Sequence, residues 1–170
     1  CTANNLPLGE LPPNDEGCKV LILKPDVETL VKTPVSNAES NKIVSSLSAD
    51  LLADGTLLYE GIIDYTGNCS LNRRHNLLGE SLEKQMEWLS SNVLGKFVPH
   101  IRLDNCAFEN VEENFEKPLS ARFNGQMNKF GVRSSKRLFF NPNYLHRQTP
   151  DDLPDEQERK FPLNYYYPFT

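Results

Sequence analysis

The chain has 170 residues, of which 38% are hydrophobic and 24% charged, and its formal net charge is -5. That length suits one domain burying roughly 70% of its unfolded surface; no apolar run approaches the ~20 residues of a spanning helix, and the acidic balance speaks against a protein that neutralises many phosphates. The 4 cysteines, at positions 1, 18, 69 and 106, are too sparse for a disulfide scaffold, and the lack of a C-x-x-C pair speaks against structural zinc.

The first residues, Cys1-Thr2-Ala3-Asn4-Asn5, carry no initiator Met, basic n-region or apolar h-region, and read as the start of a processed or excised chain. Residues 1–18 hold Leu6-Pro7-Leu8 and Leu11-Pro12-Pro13, then Asn14-Asp15-Glu16-Gly17, so an extended arm ending in a turn is expected. Lys19-Val20-Leu21-Ile22-Leu23-Lys24, bounded by Gly17 and Pro25, predicts a buried strand, and Val27 to Thr33 a second one.

Residues 42–66 carry the clearest pattern. Ile43, Leu47, Ala49 and Leu51 share one parity against Ser46, Ser48 and Asp50, and Leu57, Tyr59, Ile63 and Tyr65 resume the alternation. Asp54-Gly55 between them supplies positive φ values for a tight turn, which predicts an antiparallel hairpin of long strands. The period then changes. A helical turn is expected over Leu71 to Leu78, ended by Gly79. Leu82, Met86, Leu89 and Val93 then mark one face of an amphipathic helix with Ser81 as N-cap, Glu83 in its first turn and Gly95 past its end.

Strand alternation returns with Phe97, Ile101 and Leu103 against Val98, Arg102 and Asp104, then with Leu119, Ala121 and Phe123, and a last apolar run spans Arg137 to Phe140. Asn141 to Lys160, with Pro142, Pro150, Pro154 and five acidic residues, reads as an exposed acidic loop. The sum predicts an α+β fold, a mainly antiparallel β-sheet with two central helices, with a β-sandwich carrying inserted helices as the alternative.

Residues able to carry chemistry are few. Cys69 with His75, and Cys106 with His100, lie six apart in sequence; Cys18 and His146 complete the set of nucleophile and base candidates, against a plainer reading as buried thiols and half-exposed imidazoles. A single bridge, Cys1–Cys18 or Cys69–Cys106, is equally compatible with the spacing. The acidic run Asp151-Asp152, Asp155-Glu156 and Glu158 lacks the ligand spacing of a calcium loop and reads as solvated charge. Arg73-Arg74 offers an anion grip or a surface pair, and Asn68-Cys69-Ser70 matches an N-glycosylation acceptor. Tyr165, Tyr166, Tyr167 and Phe169 form the densest aromatic patch, a platform for a sugar or peptide or an edge strand docked on a neighbour. No metal or cofactor is expected.

Several stretches together resemble bacterial transglutaminase-like proteins: Cys1 to Pro13, Leu30-Val31-Lys32-Thr33-Pro34, Asp54-Gly55 with Tyr65-Thr66-Gly67, Arg137-Leu138-Phe139-Phe140-Asn141-Pro142, and Arg159-Lys160-Phe161-Pro162 with Tyr167-Pro168-Phe169. The resemblance is to the domain of unknown function C-terminal to the papain-like core in multi-domain, exported proteins of Bacteroides-type bacteria. It implies that residues 1–18 are the tail of the upstream core, that 19–170 are a β-rich accessory domain continuing past Thr170, and that the location is periplasmic or cell-surface. That family's Cys–His–Asp triad performs acyl transfer or peptide hydrolysis. Its Asp lies in a Trp-x-x-Asp-x-Thr stretch whose last two positions Cys1-Thr2 match, so the triad falls upstream and no catalytic role is carried onto a residue here. A mature lipoprotein would also begin at a Cys, but the Leu- and Pro-rich arm suits the tail of a core domain better. The functional expectation is therefore a non-catalytic accessory or interaction domain whose partner is the upstream domain of the same polypeptide, with neither nucleic-acid binding nor a membrane span. A free-standing glycan- or peptide-binding module and a small cysteine hydrolase are the alternatives.

Overall fold

The computed structural model describes residues 6, 9–24, 29–95, 101–112 and 116–141. In chain order the elements are β1 (Lys19–Leu21), β2 (Leu30–Lys32), β3 (Ile43–Leu51), β4 (Leu57–Tyr65), α1 (Asn68–Leu77), α2 (Leu82–Leu89), β5 (Arg102–Glu109), β6 (Leu119–Met127), β7 (Val132–Ser134) and β8 (Arg137–Phe139). All strand pairs are antiparallel, so the fold is α+β with a mainly antiparallel sheet. The centre is a four-stranded sheet of order β3-β4-β6-β5, flanked by the hairpins β1-β2 and β7-β8. Since β4 and β5 each run antiparallel to β6, they are parallel to one another, and the two helices form the crossover between them.

In the β3–β4 hairpin the alternation holds on β4, where Leu57, Tyr59, Ile63 and Tyr65 are all buried on one face, whereas on β3, at the edge of the sheet, Leu47 and Ala49 are exposed and Ile43 and Leu51 only half-buried. Its turn differs from the expectation. Only Gly55 has a positive φ, of 88°, whereas Asp54 accepts a hydrogen bond at 2.9 Å from the Thr56 N–H, and the Leu52 N–H reaches Thr56 O at 2.8 Å. The loop is thus one residue longer than a two-residue turn, with its glycine at the left-handed position.

On β6, Leu119, Ala121, Phe123 and Met127 face the same side. Both central strands carry a glycine there, and an aromatic ring fills each gap. A Cβ on Gly61 would lie 2.7 Å from the Phe123 ring, and one on Gly125 would lie 2.1 Å from Arg102 O and 2.5 Å from the Tyr59 hydroxyl. Tyr59 and Phe123 pack with ring centroids 6.2 Å apart, and Tyr59 donates to Arg102 O over 2.8 Å.

Helices cover this face, where the sandwich alternative would have placed a second sheet. Leu77 of α1 and Leu89 of α2 are completely buried with Ile63, Tyr65 and Leu119, and Trp88 meets Phe108 of β5 edge to face. Ser81 caps α2 by accepting from the Lys84 N–H, as its sequence suggests. The helix then ends in a π turn over Ser90–Leu94, where the Gly95 N–H bonds to Ser90 O five residues back. That wider turn moves Leu94 onto the buried face below Leu89; Val93 is only half-buried and Leu82 is exposed, a shift that a uniform 3.6-residue period misses.

A bulge at Asp104 changes the parity of β5, so that Leu103 before it and Cys106 and Phe108 after it all face inward. The alternation around Leu103 therefore stops being legible although the strand runs on to Glu109. The largest departure is at β1. The Lys19–Lys24 run was expected to be buried, yet Val20, Leu21, Ile22 and Leu23 are exposed, because β1 pairs only with β2 in a separate hairpin.

Candidate functional site

Among the described residues the candidate nucleophiles do not meet the one described candidate base, His75. Cys69 is buried in the first turn of α1 while His75, six residues on, is exposed, since six residues of α-helix turn the chain by about 240°. Cys106 sits on the inner face of the sheet, where burial pushes its thiol up to about 11, and Cys18, Cys69 and Cys106 are all free thiols. His100 and His146 lie outside the described residues, as do Cys1, the acidic run 151–158 and the aromatic patch Tyr165, Tyr166, Tyr167 and Phe169. The Asp104 bulge breaks the two-residue period of β5 ahead of Cys106.

Arg73 and Arg74 are neither an anion grip nor a surface pair. Arg74 is buried, and its guanidinium donates to Asn110 O and, at 2.6 Å, to Lys117 O, clamping both ends of the β5–β6 connection onto α1. Burial lowers its pKa from the ordinary guanidinium value. Arg73 lies over the Tyr65 ring, 4.3 Å from its centroid. Asn68 of the glycosylation pattern is buried as well. Its amide donates to Glu16 Oε1 at 2.7 Å, its N–H to Asn41 Oδ1 at 2.8 Å, and Glu16 Oε2 in turn accepts from the Ser36 N–H and hydroxyl. In the folded chain that side chain is a structural joint.

What the fold does present is the outer face of the four-stranded sheet. Ladder register aligns Ser46, Ile62, Arg122 and Ala107 in one row across the strands, and Ser48, Glu60, Asn124 and Asn105 in the next. These rows floor an open groove of about 640 Å³. Arg122 is held by Glu109 at 2.9 Å, the Asn105 amide donates to Asn124 Oδ1 at 3.3 Å, and in the adjoining row the Ser120 hydroxyl donates to Asp64 at 2.5 Å. The groove offers hydroxyls, amides, one guanidinium and the Glu60 carboxylate, a surface suited to hydrogen bonding and charge. Ser46 and Ser48 are visible in sequence as the polar parity of β3; Glu60, Asn105, Arg122 and Asn124 join them only through the register. Among the described residues no group of three His, Cys, Asp or Glu side chains converges as a metal-ligand set.

Comparison with protein-family models, with curated proteins and with solved structures finds no match to this chain.

Proposed function

We propose that the chain is a non-catalytic accessory domain that packs on, or positions substrates for, a transglutaminase-like cysteine enzyme core upstream in the same polypeptide. In this reading the parent is an exported bacterial protein working in the periplasm or at the cell surface. The observation that carries the reading is the state of the thiols. A cysteine nucleophile needs a lowered pKa and a base within hydrogen-bond reach, whereas the Cys106 thiol is pushed up to about 11 inside the core and Cys69 is buried away from the exposed His75. The chain assayed alone on peptide and glutamine-amide substrates is expected to give no turnover. Turnover that disappears in Cys69→Ala or Cys106→Ala would overturn the reading and favour a small cysteine hydrolase.

The groove favours a second reading, a glycan- or peptide-binding module, since its Ser, Asn, Glu and Arg side chains match the hydrogen-bonding groups of such ligands. That reading expects saturable binding weakened by Asn124→Ala, and by Tyr166→Ala if the aromatic patch takes part.

A further inference from the structure

We infer that β3 is an interface strand, on which a second copy of this chain adds its own β3, antiparallel and about a two-fold axis at Ser48. Among the described residues β3 is one edge of the central sheet and pairs only with β4. Just beyond its two ends the Thr66 N–H donates to Lys42 O at 3.0 Å and the Leu52 N–H donates to Thr56 O at 2.8 Å, so the even-numbered residues of β3 carry the bonds to β4. The N–H and C=O groups of Leu47 and Ala49, on the other parity, therefore point to the open edge. Their side chains lie on the inner face of the sheet, yet the helices that bury Tyr59 and Ile63 leave them uncovered: Leu47 is 39% exposed, and Ala49 is exposed as well.

The opposite edge is guarded and this one is not. β5 carries the Asp104 bulge, the Arg102–Asp104 ion pair and Glu109, features that keep a sheet edge from pairing. β3 runs for 9 residues without bulge, proline or lysine, and Asp50 is its one charge. A second copy is the partner that fits, because the strand complements itself. With Ser48 on the axis, Leu47 lies opposite Ala49 of the second copy and Ala49 opposite Leu47 of the second copy; each pair exchanges two backbone hydrogen bonds and sets a large side chain against a small one on the inner face. On the outer face Ser48 meets Ser48 of the second copy, and each Asp50 meets a Ser46 hydroxyl, so no two carboxylates are opposed. An axis at Ala49 would set the two Asp50 side chains diagonally next to one another, and an axis at Leu47 would route central bonds through Ser45, which already has a partner of its own. Pairing joins the two four-stranded sheets into one of eight strands, with Ser46 and Ser48 of both grooves at the seam. It is independent of the accessory role proposed above.

The test is the mass of the whole chain in solution by sedimentation equilibrium. A strand pair is a small interface, so a monomer–dimer equilibrium is expected with a dissociation constant on the order of 10–100 μM, and it should stop at two copies because pairing uses up the open edge. Ala49→Pro removes an N–H that faces the open edge and none that bonds to β4, so it is expected to leave the chain folded and to weaken association roughly tenfold or more. Leu47→Lys, at an exposed side chain, is expected to do the same. Position is read by crosslinking in a Cys1→Ala, Cys18→Ala background. Ser48→Cys is expected to form a symmetric disulfide under diamide, which takes up the two thiol hydrogens, because directly opposed residues between the bonded pairs lie within disulfide reach; Ser46→Cys, opposite Asp50, is not. A chain that stays monomeric up to about 1 mM, undiminished association of folded Ala49→Pro and Leu47→Lys, growth beyond a dimer, or crosslinking of Ser46→Cys equal to that of Ser48→Cys would each overturn the inference.

Discussion

The Asn68 amide donates to the Glu16 carboxylate over 2.7 Å across 52 positions of sequence, joining the N-terminal arm to the first turn of α1. Around it Asn41 donates to the Ser36 hydroxyl at 2.7 Å, and Ser36 donates twice to Glu16. Two buried amides and a carboxylate thus satisfy one another at the place where arm, sheet connection and helix meet. Hydrogen bonds to a charged acceptor are the stronger kind, and losing one partner leaves the buried polar groups around it short of a hydrogen bond.

Glu16→Ala is therefore expected to cost about 2–3 kcal/mol in urea denaturation, with faster proteolysis of the arm. Asn68→Ala should behave alike, and the double variant should cost less than the sum of the two, since both remove the same joint.

Arg74 is expected to be intolerant of conservative change. Arg74→Lys keeps the charge, but its single ammonium cannot hold Asn110 O and Lys117 O in the same geometry as a guanidinium fork. A loss of roughly 3 kcal/mol in thermal unfolding is expected for Arg74→Ala, and most of it for Arg74→Lys. An unchanged melting temperature in Arg74→Lys would show that the clamp is unimportant.

The two sheet glycines should differ. Alanine at position 125 meets the backbone oxygen of Arg102, whereas alanine at 61 meets the ring of Phe123 and the side chain of Leu47, which can shift. Gly125→Ala is expected to be the more damaging, by about 1–2 kcal/mol in denaturation midpoint analysis.

Stability should fall in alkali. Burial raises the pKa of Cys106 to about 11 and raises those of Tyr59 and Tyr65 above the ordinary phenol value. Each group holds its proton more tightly folded than unfolded, so the unfolded chain releases protons first as pH rises. For Cys106 the contribution is complete below about pH 9 and is lost toward about pH 11. Denaturation from pH 7 to 11 should show the loss, with a shallower slope in Cys106→Ala. In native protein near neutral pH, thiol reagents should label Cys18 while Cys69 and Cys106 stay protected until the chain unfolds.

Local pattern was legible wherever one face is buried against one partner layer. Leu57, Tyr59, Ile63 and Tyr65 repeat with a period of two because the helices cover only one side of β4, and Ser81 caps α2 because a serine oxygen can reach the Lys84 N–H from there. Where a single residue changes the period, the pattern misled: Asp104 in β5 and the π turn at Ser90–Leu94 each shift which side chains face inward. The run Val20 to Leu23 misled for another reason. Apolar character states what a segment prefers to contact, and this hairpin finds no second layer within the described chain.

The sequence by itself determined the fold class, the central hairpin, the Ser81 cap of α2 and the inward-facing residues of β4 and β6, all of which follow from neighbours a few positions apart. Only the tertiary structure decided that Asn68 is a joint, that Arg74 is a clamp, that Cys106 is a buried core thiol, and that eight side chains from four strands floor one groove. These depend on strand order, register and the Asp104 bulge, which are set by pairing energies between residues distant in sequence and leave no periodic trace within any one segment.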